Sequence, residues 1–208
     1  VSGKPLLAND PHLGLAAPSL WYFVALSAPG LRAIGATLPG LPGVVIGRND
    51  RVAWSFTNTG VDQQDLYLER LHPEDPGRYQ TPDGWAQFAT HVERIRVKGG
   101  DDVELTVRRS RHGPVLSGLV NIDKAFRHDQ YVLSLRWTAL ESVDTTVAAI
   151  RSLNTATNID EAEAALARFQ LVTQSALVAD VDGRIGMVVT GRIPVRGADH
   201  DLRGIVPA

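Results

Sequence analysis

Glycine and proline interrupt the first half of this chain so often that only short extended runs fit between them. Those runs are β-branched and aromatic, so segments 4–8, 20–27, 31–37, 44–47, 52–57 and 66–71 read as strands with few long connections. Asp50, just before Arg51-Val52-Ala53-Trp54, marks a hairpin-like turn into the fifth of them. Between 72 and 84 the chain shifts to Pro, Asp and Gly, which reads as a boundary loop. Strands resume at 87–97 and 103–109, joined by a turn at Gly99-Gly100-Asp101-Asp102. Arg94, Arg96 and Lys98 alternate with Ile95 and Val97, the pattern of one wet and one buried face. Segments 115–120 and 131–137 are expected to complete a β-rich lobe.

Two helices follow. Segment 144–153 is rich in Ala, Thr and Leu. In 158–169, Asn158 can cap and Glu161 stands three residues on, as in a capping box, while Ile159, Ala162, Leu166 and Phe169 form one stripe. Strands at 175–179 and 185–190 flank Asp182-Gly183, the strongest hairpin signal in the chain. The class is α+β.

The 208 residues are 44% hydrophobic, enough for one large core or two small ones. A net charge of −2 gives no basic field, so nucleic-acid binding has no electrostatic support. Without cysteine there is no disulfide framework, thiolate chemistry or zinc–sulfur site. No apolar run approaches the roughly 20 residues of a membrane-spanning helix, and no signal-like stretch is visible. The chain opens at Val1 and its one methionine is Met187, so it is expected to be a fragment of something longer.

The sequence has no Gly-x-Ser-x-Gly elbow, no His-Glu-x-x-His and no phosphate-cradling glycine loop. Three segments remain as candidates. In Leu6–Gly14 an apolar run enters an Asn-Asp-Pro turn and leaves His12 at a strand end; a structural turn histidine is the plainer reading. In Val52–Gly60 a strand ends in Thr57-Asn58-Thr59-Gly60, which can leave backbone N–H groups free as oxyanion donors; taken alone, a simple β-turn is the favoured reading. Asp62-x-Gln64-Asp65 offers two carboxylates and a carbonyl, hard oxygens of the kind calcium takes, but short of the usual six to eight ligands. A solvated polar loop is the alternative.

Together these segments resemble the penicillin acylase family of N-terminal-nucleophile hydrolases. Leu6–Gly14, Ile34–Pro42, Trp54–Tyr67, Arg111-His112-Gly113-Pro114-Val115 and Arg136-Trp137-Thr138-Ala139 occur there in this order. So does the stretch from Ala179-Asp180 through Gly186 to Gly191-Arg192-Ile193-Pro194. The resemblance implies part of an αββα sandwich, with core strands over 1–71, an inserted β-rich lobe over 72–145, and helices with a hairpin returning to the core over 146–208. It also implies a precursor that cleaves itself, so that a β-chain begins with a serine whose hydroxyl attacks an acyl amide. The serine's own α-amine, with an ordinary pKa of about 7.7–8.0, acts as base.

On this resemblance His12 stands beside the serine, a place held by His in some members and Gln in others. The Asn58 N–H is one oxyanion donor and Leu13 lines the acyl pocket. Asp62, Asp65 and the carbonyls of Gln64 and Pro194 are structural calcium ligands. The serine is placed upstream of Val1, since Ser2 is too near His12. The second oxyanion donor and an accompanying arginine are placed beyond Ala208. The partners are then an α-chain and the remainder of the β-chain, the substrate a small acyl amide, and the location periplasmic or secreted. The chain alone is expected to be inactive, with exposed sheet edges that invite association. A non-catalytic β-rich binding module, or a calcium-stabilised module of an exported protein, is the competing reading. It gives His12 and Asn58 no reason to share a cavity.

Overall fold

The computed structural model describes residues 3–11, 13–118 and 127–197 together with the backbone of Val206–Pro207. The chain divides into two compact units, residues 1–63 with 141–194 and residues 64–140 with 195–208.

The first unit is built on a six-stranded antiparallel sheet. Strands β1 (Tyr22–Ala28), β2 (Leu31–Thr37), β3 (Ile46–Asn49) and β4 (Val52–Asn58) lie side by side in chain order. The late hairpin of β11 (Gln174–Asp180) and β12 (Ile185–Val189) then adds to the far edge of β4. Asp182-Gly183 turns that hairpin; Gly183 has φ +100°, a conformation open to glycine at no steric cost. The β3–β4 turn is held by Asn49, whose Oδ1 accepts from the N–H groups of Arg51 and Val52.

Helices α1 (Thr146–Thr155) and α2 (Ile159–Leu166) cover one face of this sheet. Val52, Trp54 and Phe56 alternate inward along β4, and Ala176 and Val178 do so on β11. They meet Ile150, Leu153, Ala162, Leu166 and Phe169. Trp54, 1% exposed, also donates from its indole to the Val45 carbonyl at 2.9 Å, so its polar atom is not stranded. The opposite face shows Phe23 (92% exposed), Ile185 (75%) and Met187 (61%), with Ile34, Leu177 and Val189 beside them.

Local chemistry sets the helix ends. Asn158 Oδ1 accepts from the Glu161 N–H at 3.0 Å, and Glu161 reaches back to the Thr157 N–H at 2.7 Å. This is a capping box shifted by one residue at its return arm. Those bonds from Thr157 hold the Glu161 carboxyl below its ordinary range. Near the end of α1, Asn154 both accepts from the Val44 N–H (2.7 Å) and donates to the Val44 carbonyl (2.8 Å). One buried amide thus substitutes for a strand neighbour.

In the second unit β5 (Gln64–Arg70) lies between β10 (Tyr131–Trp137), antiparallel, and β13 (Val206–Pro207), parallel. Two hairpins accompany it, β6 (Arg78–Thr81) with β7 (Gly84–Gln87) and β8 (Ala89–Ile95) with β9 (Val103–Arg109). Leu71, Tyr79, Phe88, Val115 and Val132 form its core. The Arg111–Val115 motif has a structural task in this unit. His112 Nδ1 meets the fully buried Glu69 Oε1 at 2.8 Å and stacks on Tyr67 at 3.8 Å. Gly113 (φ +146°) lies so close to β10 that a Cβ would sit 2.0 Å from the Leu135 carbonyl oxygen, and the Arg111 N–H donates to the Tyr79 hydroxyl.

Several expectations change. Segment 4–8 is not a strand; it is an irregular run tied by Lys4 Nζ to the Val181 carbonyl at 2.8 Å. The run 87–97 is broken at Phe88, which turns into the core. The expected loop 72–84 contains β6 and most of its hairpin turn. Segment 115–120 forms no strand: Val115 bridges to Ser134, Ser117 makes a single bridge, and 119–120 lie outside the described residues. The units also divide differently from the three expected parts, because β5 pairs with β10 and residues 195–208 join them.

Candidate active site

The end of β4 carries the geometry of interest. Asn58 stands opposite Gln174 on β11. The Gln174 main chain faces the other way, however: its N–H donates to Thr190 Oγ1 (3.2 Å) and its carbonyl accepts from the Thr190 N–H (2.8 Å). Directly opposed residues in an antiparallel ladder alternate between bonded and non-bonded pairs, and Asn58 with Gln174 is a non-bonded one. The Asn58 N–H therefore points to the opposite edge of β4, away from β11.

Phe56, two residues back, faces that same edge. Its carbonyl accepts from Asn9 Nδ2 at 3.1 Å. Strand β3 covers the edge only as far as the Gly47–Trp54 pair. Past that rung the Asn58 N–H stands outside the ladder, aimed to the side where the 3–11 segment runs. The strand end is held by its surroundings. Gln174 Nε2 donates to Asn58 Oδ1, and Gln63 fixes the exit by donating to the Arg192 carbonyl (2.9 Å) and accepting from the Thr173 N–H (3.2 Å). Two buried oxygens here, Asn9 Oδ1 and Thr59 Oγ1, have no protein donor or acceptor among the described residues. An unmet buried polar group of this kind costs about 1–3 kcal/mol.

His12 lies outside the described residues. Its described neighbours place the segment: Asn9, three residues earlier, is bound beside Phe56, and Leu13 is exposed. Sequence reasoning passed over Asn9. Its signal was the Asn-Asp-Pro turn, which accounts for an asparagine without a distant partner.

Of the expected calcium ligands, Asp62 and Pro194 belong to the first unit and Gln64 and Asp65 to the second. Both Asp65 oxygens take hydrogen bonds from Arg196 Nε, at 3.1 and 3.0 Å, in a pair about nine-tenths buried. A guanidinium already neutralises that carboxylate. A cation at Asp65 would have to displace Arg196, and its remaining ligands would have to come from other residues or water.

The penicillin amidase family profile matches residues 1–208. The acyl-homoserine lactone acylase QuiP of Pseudomonas aeruginosa is 34% identical over 212 residues, covering all of this chain and 25% of that protein. Penicillin G acylase of Escherichia coli is 33% identical over 204 residues, covering 98% of this chain and 23% of that protein. The chain thus spans about a quarter of the length of these curated relatives. Among solved structures, a thermostable penicillin G acylase from Alcaligenes faecalis superposes with a TM-score of 0.83 at 28% identity, over 95% of this chain and 34% of that one. From the profile match over its whole length and the relatives at more than 30% identity, this chain belongs to the penicillin amidase family.

Proposed function

We propose that this chain is part of the β-chain of an acylase that hydrolyses a small acyl amide through an N-terminal serine, and that it supplies one oxyanion donor, the Asn58 N–H. The observation that carries the reading is the release of that N–H from the ladder at a strand end shared with the Asn9 segment. The family match supports the reaction class.

In this reading the serine hydroxyl adds to the amide carbonyl and passes its proton to the serine α-amine. The carbonyl oxygen becomes an oxyanion that accepts from the Asn58 N–H. Collapse breaks the C–N bond, the leaving amine takes the proton, and an acyl ester remains. Water then adds to the ester, regenerating the hydroxyl and releasing the carboxylic acid. A main-chain donor held by two neighbouring residues suits the task, because it needs no reorganisation as charge develops. His12 orients the attacking hydroxyl and Leu13 contributes to the acyl pocket.

The serine and the second donor come from other segments of the same precursor, an α-chain and further β-chain, released by self-cleavage. Those segments also cover the open face of the six-stranded sheet with a second sheet, completing an αββα sandwich. The whole protein acts outside the cytoplasm. No step of this chemistry runs through calcium.

Asn58→Pro tests the reading directly. Proline removes the N–H without breaking a ladder rung, but it also deletes the Asn58 Oδ1 that Gln174 meets. Asn58→Ala, which loses that side chain and keeps the N–H, is the paired control and should retain most of kcat. In the complete protein, assayed with chromogenic aryl-acetyl and long-chain acyl amides, kcat of the proline variant should fall about 10²–10³-fold. The 208-residue chain alone should show no turnover. Unchanged kcat in the proline variant, or turnover by the isolated chain, would refute the assignment.

A further inference from the structure

Among the described residues, β4 beyond Trp54 keeps one strand neighbour, β11. A strand bonded on one side is free to fray at its end, and two residues of fray would swing the Asn58 N–H away. Among the described residues, Phe56 is the last point at which the free edge is held. Its ring packs against Phe169, with centroids 5.4 Å apart, and its carbonyl receives Asn9 Nδ2. We propose that Asn9 is a positioning residue for the oxyanion donor: its carboxamide replaces the rung that β3 does not supply and so fixes the direction of the Asn58 N–H. This rests on the acylase reading of Asn58.

The chemistry requires an amide at position 9. The Phe56 carbonyl can only accept, so the group facing it must donate, and this fixes which end of the Asn9 side chain points inward. Asn9 Oδ1 is then left buried with no protein donor among the described residues. An aspartate of nearly identical shape would set a carboxylate against the carbonyl and lose the bond. The segment that Asn9 anchors leads directly to His12, so one contact registers two chain segments against each other.

Asn9→Asp in the complete protein separates the possibilities. The expected result is a kcat lowered about 10–10²-fold with KM changed less than about threefold, because a misdirected donor is felt in the transition state and not in substrate binding. The thermal midpoint should hold, and hydrogen–deuterium exchange over residues 55–60 should quicken. Parent-like kcat, or a loss of kcat that follows a drop in the melting point, overturns the proposal. If the parent enzyme turns over no acyl amide, the acylase reading fails on its own. The exchange comparison still tests Asn9 in that case, since identical uptake in parent and variant removes it as the anchor. If Asn9→Asp does not fold, Asn9→Ala takes the same measurements, and the same results support or overturn the proposal.

Discussion

Asp180 gathers four hydrogen bonds onto a carboxylate that is 4% exposed. They come from the N–H groups of Ile159, Asp182 and Arg184 and from the Arg184 guanidinium, at 2.9–3.3 Å. Burial by itself would raise its pKa. The Arg184 N–H, the guanidinium and the Ile159 N–H outweigh that and hold it below the ordinary carboxylate range. A group whose folded pKa is depressed stabilises the fold fully above its unfolded value, about 3.9, and loses that contribution as pH falls through the lower, folded value. Urea midpoints taken from about pH 5 downward should therefore fall more steeply for the parent than for Asp180→Asn. Equal slopes would show that the carboxylate does not couple β11, its turn and the start of α2. The carboxylate also explains why Asp-Gly works here beyond its backbone preference: the turn is bonded to the strand that precedes it.

At the scale of elements, the join between α1 and the loop before β3 depends on Asn154. Replacing it with alanine leaves both the N–H and the carbonyl of Val44 buried without a partner. The expected loss is about 2–4 kcal/mol in urea unfolding, and a loss below about 1 kcal/mol would mean the loop finds other bonds. Such a contact cannot be read from sequence, because its partners lie 110 residues apart. The same limit hid Asn9, whose partner is a main-chain carbonyl 47 positions away. Local signals served better. β2, β9 and β10 fall where the β-branched runs put them, and Asn158 with Glu161 caps α2, whereas the alternation at 94–98 marks no buried face, since Ile95 and Val97 are exposed. Segment 4–8 misled because an apolar run shows a wish for burial but not a neighbour to pair with. The Asp83-Gly84 turn was absorbed into a supposed loop because β6 and β7 have four residues each, too few to show a period.

For the whole molecule, the open face of the six-stranded sheet is the feature with the widest reach. Phe23, Ile185 and Met187 form an exposed apolar surface, which in the proposed reading further segments of the precursor cover. The 208-residue chain studied alone should therefore associate in sedimentation at raised concentration, and a Phe23→Lys, Met187→Lys double variant should sediment as a lighter species. A parent chain that stays monomeric throughout would show that the face is tolerated in water. The donor at the end of β4 has a different consequence, one for heredity. Because it is part of the main chain, any amino acid except proline at position 58 would deliver it. If the proposed reading holds, mutation could rewrite that side chain at no more than the cost of its contact with Gln174, and descendants would inherit the chemistry through the pairing of strands after losing the letter that marks it.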